Sequence, residues 1–280
     1  MYKHSVVNVI SSILTLMIEL TIYHVDAFSN TPFSGNPAAV VPLEAWLADP
    51  LLQQIAQQNN LSETAFYVNN GDEYDLRWFT PTQEVPLCGH ATLASAHVIL
   101  RHQHCNEKSV MFNTKSGQLT VREDKQSGLL AMRLPRYLPI AQTEIANITA
   151  SLGARPSLVF TTANDVNIYA VFDAEANVRA LRPNFEQLAF SQRPVGVTAP
   201  GDSCDFVSRF FAPSLGVPED PVTGSLHCGL IPYWSARLGK MELYARQISR
   251  RGGELWCTDA KDHVVVAGHT RLYLQGTIWC

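Results

Sequence analysis

Charge is scarce in this 280-residue chain: Asp, Glu, Lys and Arg make up 16% of it, and 21 basic against 25 acidic residues leave a net charge of −4. A nucleic-acid surface needs clustered Lys and Arg, and the one compact basic run, Arg246 to Arg251, is broken by Gln247, Ile248 and Ser249. That run reads as a solvated strand edge or loop, so no nucleic-acid partner is expected. Paired cysteines are missing as well. Cys88, Cys105, Cys204, Cys228, Cys257 and Cys280 lie at wide, irregular intervals with no CxxC pair, which argues against a zinc site and predicts no metal. A chain long enough to bury a sizeable core needs no disulfide staples. Free thiols in a reducing compartment, and hence a cytoplasmic location, are expected.

The chain also lacks an apolar run of the about 20 residues that a membrane-spanning helix needs. The nearest approach is Ser5 to Ile18 behind Lys3 and His4, but Glu19 interrupts it and no small-x-small cleavage site follows. Residues 1–16 therefore read as an apolar upstream extension, with an uncleaved membrane anchor as the alternative. Met17 to Tyr23 then reads as the first strand of the folded unit.

What is present is mostly short alternating runs bounded by turn residues. Tyr74 to Phe79, Leu119 to Arg122, Leu130 to Leu134, Ile168 to Phe172, Val264 to Val266 and Leu272 to Leu274 predict strands. Helices are fewer. Asp49 as N-cap and Pro50 at the first helical position predict a helix through Gln58, ended by Asn59-Asn60. A second runs from Thr143 to Leu152 and stops at Gly153, and Pro183 divides Ala174 to Phe190 into two short pieces. Two further segments differ in kind. Ala91 to Leu100 and Leu226 to Leu238 leave almost no polar face, which marks buried helices, the second with a kink predicted at Pro232.

Each buried segment follows a small-residue turn, Pro86-Leu87-Cys88-Gly89-His90-Ala91-Thr92 in one case and Glu219-Asp220-Pro221-Val222-Thr223-Gly224-Ser225 in the other. A glycine turn that opens a helix aims free backbone N–H groups and the positive end of the helix dipole at one spot, which suits a carboxylate. Two such turns imply one ligand held between two halves.

Six ordered motifs now carry a resemblance. Tyr23 to Phe28, Gly35 to Val40, Asn60 to Phe66, Phe79-Thr80-Pro81, Cys88 to Thr92 and Glu219 to Ser225 resemble the signature set of the phenazine-biosynthesis PhzF-like proteins, over roughly residues 17 to 278. The resemblance implies an α+β, diaminopimelate-epimerase-like fold: two similar domains, each a strongly curved, mostly antiparallel sheet wrapped around a central apolar helix. It also implies a cofactor-independent isomerase site between them, and a homodimer. The predicted domains are residues 17–126 and 127–270, with residues 271–278 returning to the first. Gln126-Ser127-Gly128 is too short for a flexible linker.

Read from the residues, Glu63 is either a surface carboxylate or a proton carrier in the apolar run Ser62 to Val68; the resemblance makes it the general acid/base. His90, at a helix N-terminus where the dipole disfavours an imidazolium, is expected as a neutral ring that bonds substrate, or else as a helix cap. Asp220 orients substrate or relays a proton, or forms an Asx turn; the resemblance favours site roles for Asp220, Ser225 and His90. Gly89 and Gly224 are expected to give a substrate carboxylate close backbone approach. Asn36 and Asp26 read either as cleft or as turn residues, and Trp78, Trp234 and Phe79 as core.

The expected function is movement of a proton within a small carboxylate-bearing metabolite. One alternative is a Cys88-dependent amino-acid epimerase or racemase. Such enzymes of this fold use two cysteines, and the second turn carries Ser225, with Cys228 one helical turn further on and read as buried. The other alternative is a non-catalytic metabolite-binding protein whose site is intact in shape but unused; catalysis loses most of its support if Glu63, His90, Asp220 and Ser225 point to separate surfaces instead of meeting around one enclosed, carboxylate-sized pocket.

Overall fold

The computed structural model of the chain describes residues 17–103, 107–142, 147–163 and 165–280. The extension expected at residues 1–16 lies outside them. The first half contains β1 (Glu19–Ala27), β2 (Asn36–Leu43), α1 (Asp49–Asn59), β3 (Glu63–Asn70), β4 (Glu73–Phe79), β5 (Glu84–Val85), α2 (Gly89–His102), β6 (Ser109–Thr114), β7 (Gly117–Asp124) and β8 (Leu129–Pro135). The second contains β9 (Pro139–Gln142), α3 (Ile148–Leu152), β10 (Leu158–Thr162), β11 (Asp165–Val171), α4 (Glu175–Ala180), α5 (Phe185–Phe190), β12 (Val195–Pro200) and β13 (Phe206–Ala212). It continues through β14 (Val217–Asp220), α6 (His227–Leu238), β15 (Glu242–Gln247), β16 (Gly253–Asp259) and β17 (His263–Gly268), and the chain closes with β18 (Thr270–Trp279).

The pairing pattern makes the duplication visible. In one half the strands lie in the order β18, β1, β2, β3, β4, β6, β7, β8; in the other, β9, β10, β11, β12, β13, β15, β16, β17. Along both series the neighbours are antiparallel, antiparallel, parallel, antiparallel, parallel, antiparallel, antiparallel. The short strands correspond too, β5 on β4 and β14 on β13. Antiparallel pairing of β8 with β17 joins the halves, and β18 lies along β1 from Glu19↔Trp279 to Ala27↔Thr270.

Parallel neighbours need a crossover, and helices supply it. The crossovers of α2 and α6 run inside the curved sheet. Every residue from Gly89 to Leu100 is buried, and in α6 His227 to Pro232, Trp234 and Ser235 are buried. Leu93, Ala96, Leu230 and Trp234 belong to one apolar cluster spanning both halves. The crossover α1 packs outside instead, covering Val41, Phe66 and Phe79 with Leu52 and Ile55. Strands β2 and β3 are thereby covered on both faces and read as near-continuous buried runs, whereas β7 alternates.

This is the α+β, two-fold-repeated architecture expected from the sequence, with two local corrections, in α1 and α3. The N-cap of α1 is Ala48, because the Asp49 carboxylate is taken by Arg77 Nη1 at 2.9 Å. The described part of α3 begins only at Ile148, after Asn147 in the left-handed region at φ 65°; residues 143–146 of the predicted helix lie outside the described residues. Helix α6 runs through Pro232 to Gly239, which has φ 67°. The missing N–H of Pro232 leaves the Cys228 carbonyl without its helical donor, and the Tyr137 backbone N–H fills that place at 3.0 Å. Trp78, Phe79 and Trp234 are core residues, and Cys88, Cys204, Cys257 and Cys280 are free thiols.

Candidate active site

The two glycine turns touch. A Cβ built on Gly89 would lie 3.3 Å from Gly224 Cα, and one on Gly224 would lie 3.4 Å from Gly89 Cα. A side chain on Gly89 would crowd Met132 and the Gly224 backbone, whereas one on Gly224 would meet Gly89 at ordinary contact distance. The N-terminus of α2 thus abuts the turn that leads into α6. Around this contact Asn36, Glu63, Cys88, His90, Asp220 and Thr223 come together from β2, the start of β3, both glycine loops and the end of β14.

Asn36 is fully buried and ties the two halves. Its Nδ2 donates to Asp220 Oδ1 at 2.8 Å and to the Val222 carbonyl at 2.8 Å, and it lies 3.1 Å from His90 Nδ1. The two oxygen acceptors fix the amide orientation, so His90 Nδ1 faces a donor. By this network a neutral His90 carries its proton on Nε2. That nitrogen lies 3.1 Å from Glu63 Oε2, yet the pair is not aligned as a hydrogen bond: both atoms are buried without a hydrogen-bond partner, as is Asn36 Oδ1. Native interiors rarely leave three such atoms unsatisfied in one place.

The electrostatics follow from burial and from crowding of acids. Burial lifts the Asp220 carboxyl to about 6; His90 pulls it down and Glu63 adds to the rise, while Thr223 and Asn36 hold it down as donors. Asp220 is partly exposed at its surface edge, but its carboxyl is enclosed by these groups. Burial likewise pushes the Cys88 thiol to about 11, with Glu63 adding to it. For His90 burial opposes protonation, whereas Cys88 and Glu63 favour it, and the net direction is upward. The ring is therefore easier to protonate than a helix N-terminus alone implies, reversing the direction expected from the dipole.

Cys88 Sγ lies 3.5 Å from His90 Nδ1. Glu63, Cys88 and His90 are close enough for cation ligation, but sulfur and carboxylate approach different ring nitrogens whose lone pairs diverge. Ligation of one ion by all three would need a rearranged site. The contact of Gly89 with Gly224 also sets the correspondence between the loops: Cys88 matches Thr223, His90 matches Ser225 and Thr92 matches His227. The last pair supports it, since Thr92 Oγ1 donates to the Cys88 carbonyl four residues back and His227 Nδ1 meets the Thr223 carbonyl four residues back. The mirror partner of Cys88 is therefore Thr223 rather than Ser225.

Among the described residues Ser225 is half-buried beside Gly224 and makes no side-chain bond to the cluster. Asp26 stands apart from it, paired with Arg251 at 2.8 Å. Two residues escaped the sequence reading. Thr223 Oγ1 donates to Asp220 Oδ2, and Gln247, read as a break in a solvated basic run, is fully buried against the Asp220 loop. Cavities of about 440 Å³ beside Leu152 and beside Ser29 lie away from the cluster, the second reaching it only at Gln247.

A family model described as phenazine biosynthesis-like protein matches residues 25–277. The chain belongs to the PhzF-like family. It is 48% identical over 263 residues to an uncharacterized isomerase of Pseudomonas aeruginosa, covering 93% of this chain and 99% of that one. A crystal structure of a PhzF-family protein from Enterococcus faecalis superposes with a TM-score of 0.89 at 40% identity, covering 94% of this PhzF-like chain and 100% of the other. A hydroxyproline epimerase from Agrobacterium vitis shares the fold alone, with a TM-score of 0.61 at 10% identity over 93% and 92% of the two chains. Among the described residues no helix is long and apolar enough to cross a membrane.

Proposed function

We propose that this PhzF-like chain is a cofactor-independent isomerase that moves a proton within a small carboxylate-bearing metabolite, with Glu63 as the general acid/base. The observation that carries this reading is the buried Glu63–His90 pair, with Oε2 and Nε2 3.1 Å apart and neither atom hydrogen-bonded elsewhere. A carboxylate held in place with an open lone pair can take a proton from an activated C–H and return it at a conjugated carbon. Backbone N–H groups at the glycine turns suit the substrate carboxylate. The His90 Nε2–H, oriented through Asn36 and Asp220, faces charge that develops during transfer.

The geometry weighs against a two-thiol racemase. The Cys88 thiol is buried and neutral near pH 7, and its mirror position holds Thr223, whose hydroxyl is a far weaker acid. We further propose a cytoplasmic location, which cell fractionation tests, and a homodimer, which sedimentation velocity tests. The catalytic reading is tested by proton NMR in D2O with a panel of small cyclic and α-amino or α-hydroxy carboxylates. Deuterium incorporation or rearrangement by wild type, lost in Glu63→Gln, is the expected result; full turnover by Glu63→Gln refutes it.

A further inference from the structure

The hairpin between β15 and β16 grips both sides of the site. Gln247 ends β15 with no solvent exposure. Its Oε1 accepts from the Thr223 backbone N–H at 2.9 Å, and its Nε2 donates to the Asp220 carbonyl at 2.9 Å and to Thr223 Oγ1 at 3.2 Å. Ser249 Oγ donates to the Pro221 carbonyl at 2.7 Å. On the other side, the Gly35 N–H donates to the Gly252 carbonyl at 2.8 Å and Arg251 Nε donates to the Gly35 carbonyl at 2.8 Å. Gly35 directly precedes Asn36, so one hairpin holds both ends of the Asn36–Asp220 bond.

The amide of Gln247 also sets a proton. Thr223 Oγ1 accepts from Nε2, which leaves its single hydroxyl proton free to point at Asp220 Oδ2. A buried amide is costly unless its groups are bonded, and the bonds of this one go to the Asp220–Thr223 loop. We propose that Gln247 is a positioning residue for the acid/base site, and that the hairpin from Gln247 to Gly253 is the bracket that holds the Asp220 carboxylate against Asn36 and His90. This rests on the reading of Glu63, His90 and Asp220 as that site.

The groups facing the Asp220 carboxyl are His90 and Glu63 by charge, and Asn36 and Thr223 as donors. Gln247→Glu puts an acceptor where Nε2 donates and draws the Thr223 proton away from Asp220. Gln247→Leu removes the amide without adding charge. Asp220 is followed by carbon-13 NMR of protein labelled at the aspartate carboxyls, without substrate, with its signal assigned by its loss in Asp220→Asn.

The midpoint of its titration is expected to rise by about one pH unit in Gln247→Glu, from like charge and the lost donor, and to rise less in Gln247→Leu. Turnover in Gln247→Leu is expected to fall about tenfold or more in kcat with KM within about threefold, as misplacement of a reacting group predicts. A midpoint unchanged in a folded variant overturns the inference; if Gln247→Glu does not fold, Gln247→Leu decides. A shifted midpoint with no turnover by wild type on any substrate upholds the bracket and overturns the acid/base reading.

Discussion

Asp220→Asn is expected to make the protein more stable near neutral pH while removing its activity. In the folded chain the carboxyl titrates at about 6 instead of 3.8, burial being the main cause. A raised carboxyl means that the folded state binds the proton more tightly than the unfolded state. Its contribution therefore favours folding at low pH and turns into a cost as pH rises from about 4 to about 6, where the cost is complete. Each tenfold in affinity is worth about 1.4 kcal/mol, and with the residue's partial exposure the cost comes to about 2–3 kcal/mol. Asparagine cannot ionise, keeps one acceptor for Asn36 or Thr223, and escapes it. Urea denaturation of both proteins at pH 4.5, 6 and 8 reads the effect: the gap in unfolding free energy should open between the first and last pH. A change in melting temperature of about 2 °C per kcal/mol should accompany it. Rearranged hydrogen bonds add an offset of about 1 kcal/mol that does not vary with pH. A gap that is the same at pH 4.5 and pH 8 refutes the account of Asp220 as a carboxylate held at the expense of stability.

Glu63→Gln, already the test of the catalytic reading, should keep the melting temperature within a few degrees, as seen by circular dichroism, because the amide has the same shape as the carboxylate and only the 3.1 Å contact with His90 loses its charge. Cys88→Ser is expected to retain turnover within about tenfold, or ~1.4 kcal/mol of barrier, because the thiol is neutral near pH 7; a loss beyond a thousandfold would restore the thiol mechanism. Leu93→Ala empties a fully buried position on α2 and should cost about 2–5 kcal/mol by urea titration.

The strands and the two interior helices were legible because burial writes itself into periodicity: β7 alternates, while α2 is apolar all round. Caps were less legible. Asp49 looks like an N-cap, but whether its carboxylate serves the helix or Arg77 depends on a strand 28 residues away. The correspondence of Cys88 with Thr223 was hidden because no repeat survives in the residues, only in the order and direction of strand pairing. Gln247 shows a signal that was there to be used. Leu243 and Ala245 are the buried positions of β15, and the two-residue period carries Gln247 onto the same inward face. An amide on an inward face asks for buried partners, which the neighbouring arginines concealed.

The position of β18 along β1 has a consequence for the order of assembly. As the chain is synthesised, β1 emerges early, but the strand that covers its open edge is made after everything else in the sheet. Until Thr270 to Trp279 arrives, the first half presents an unpaired edge from Glu19 to Ala27, the kind of surface that templates aggregation. Folding of the early half on the ribosome cannot finish without its latest strand. Chains stalled before residue 270 should therefore need a chaperone that shields β1, while chains released after residue 279 should not.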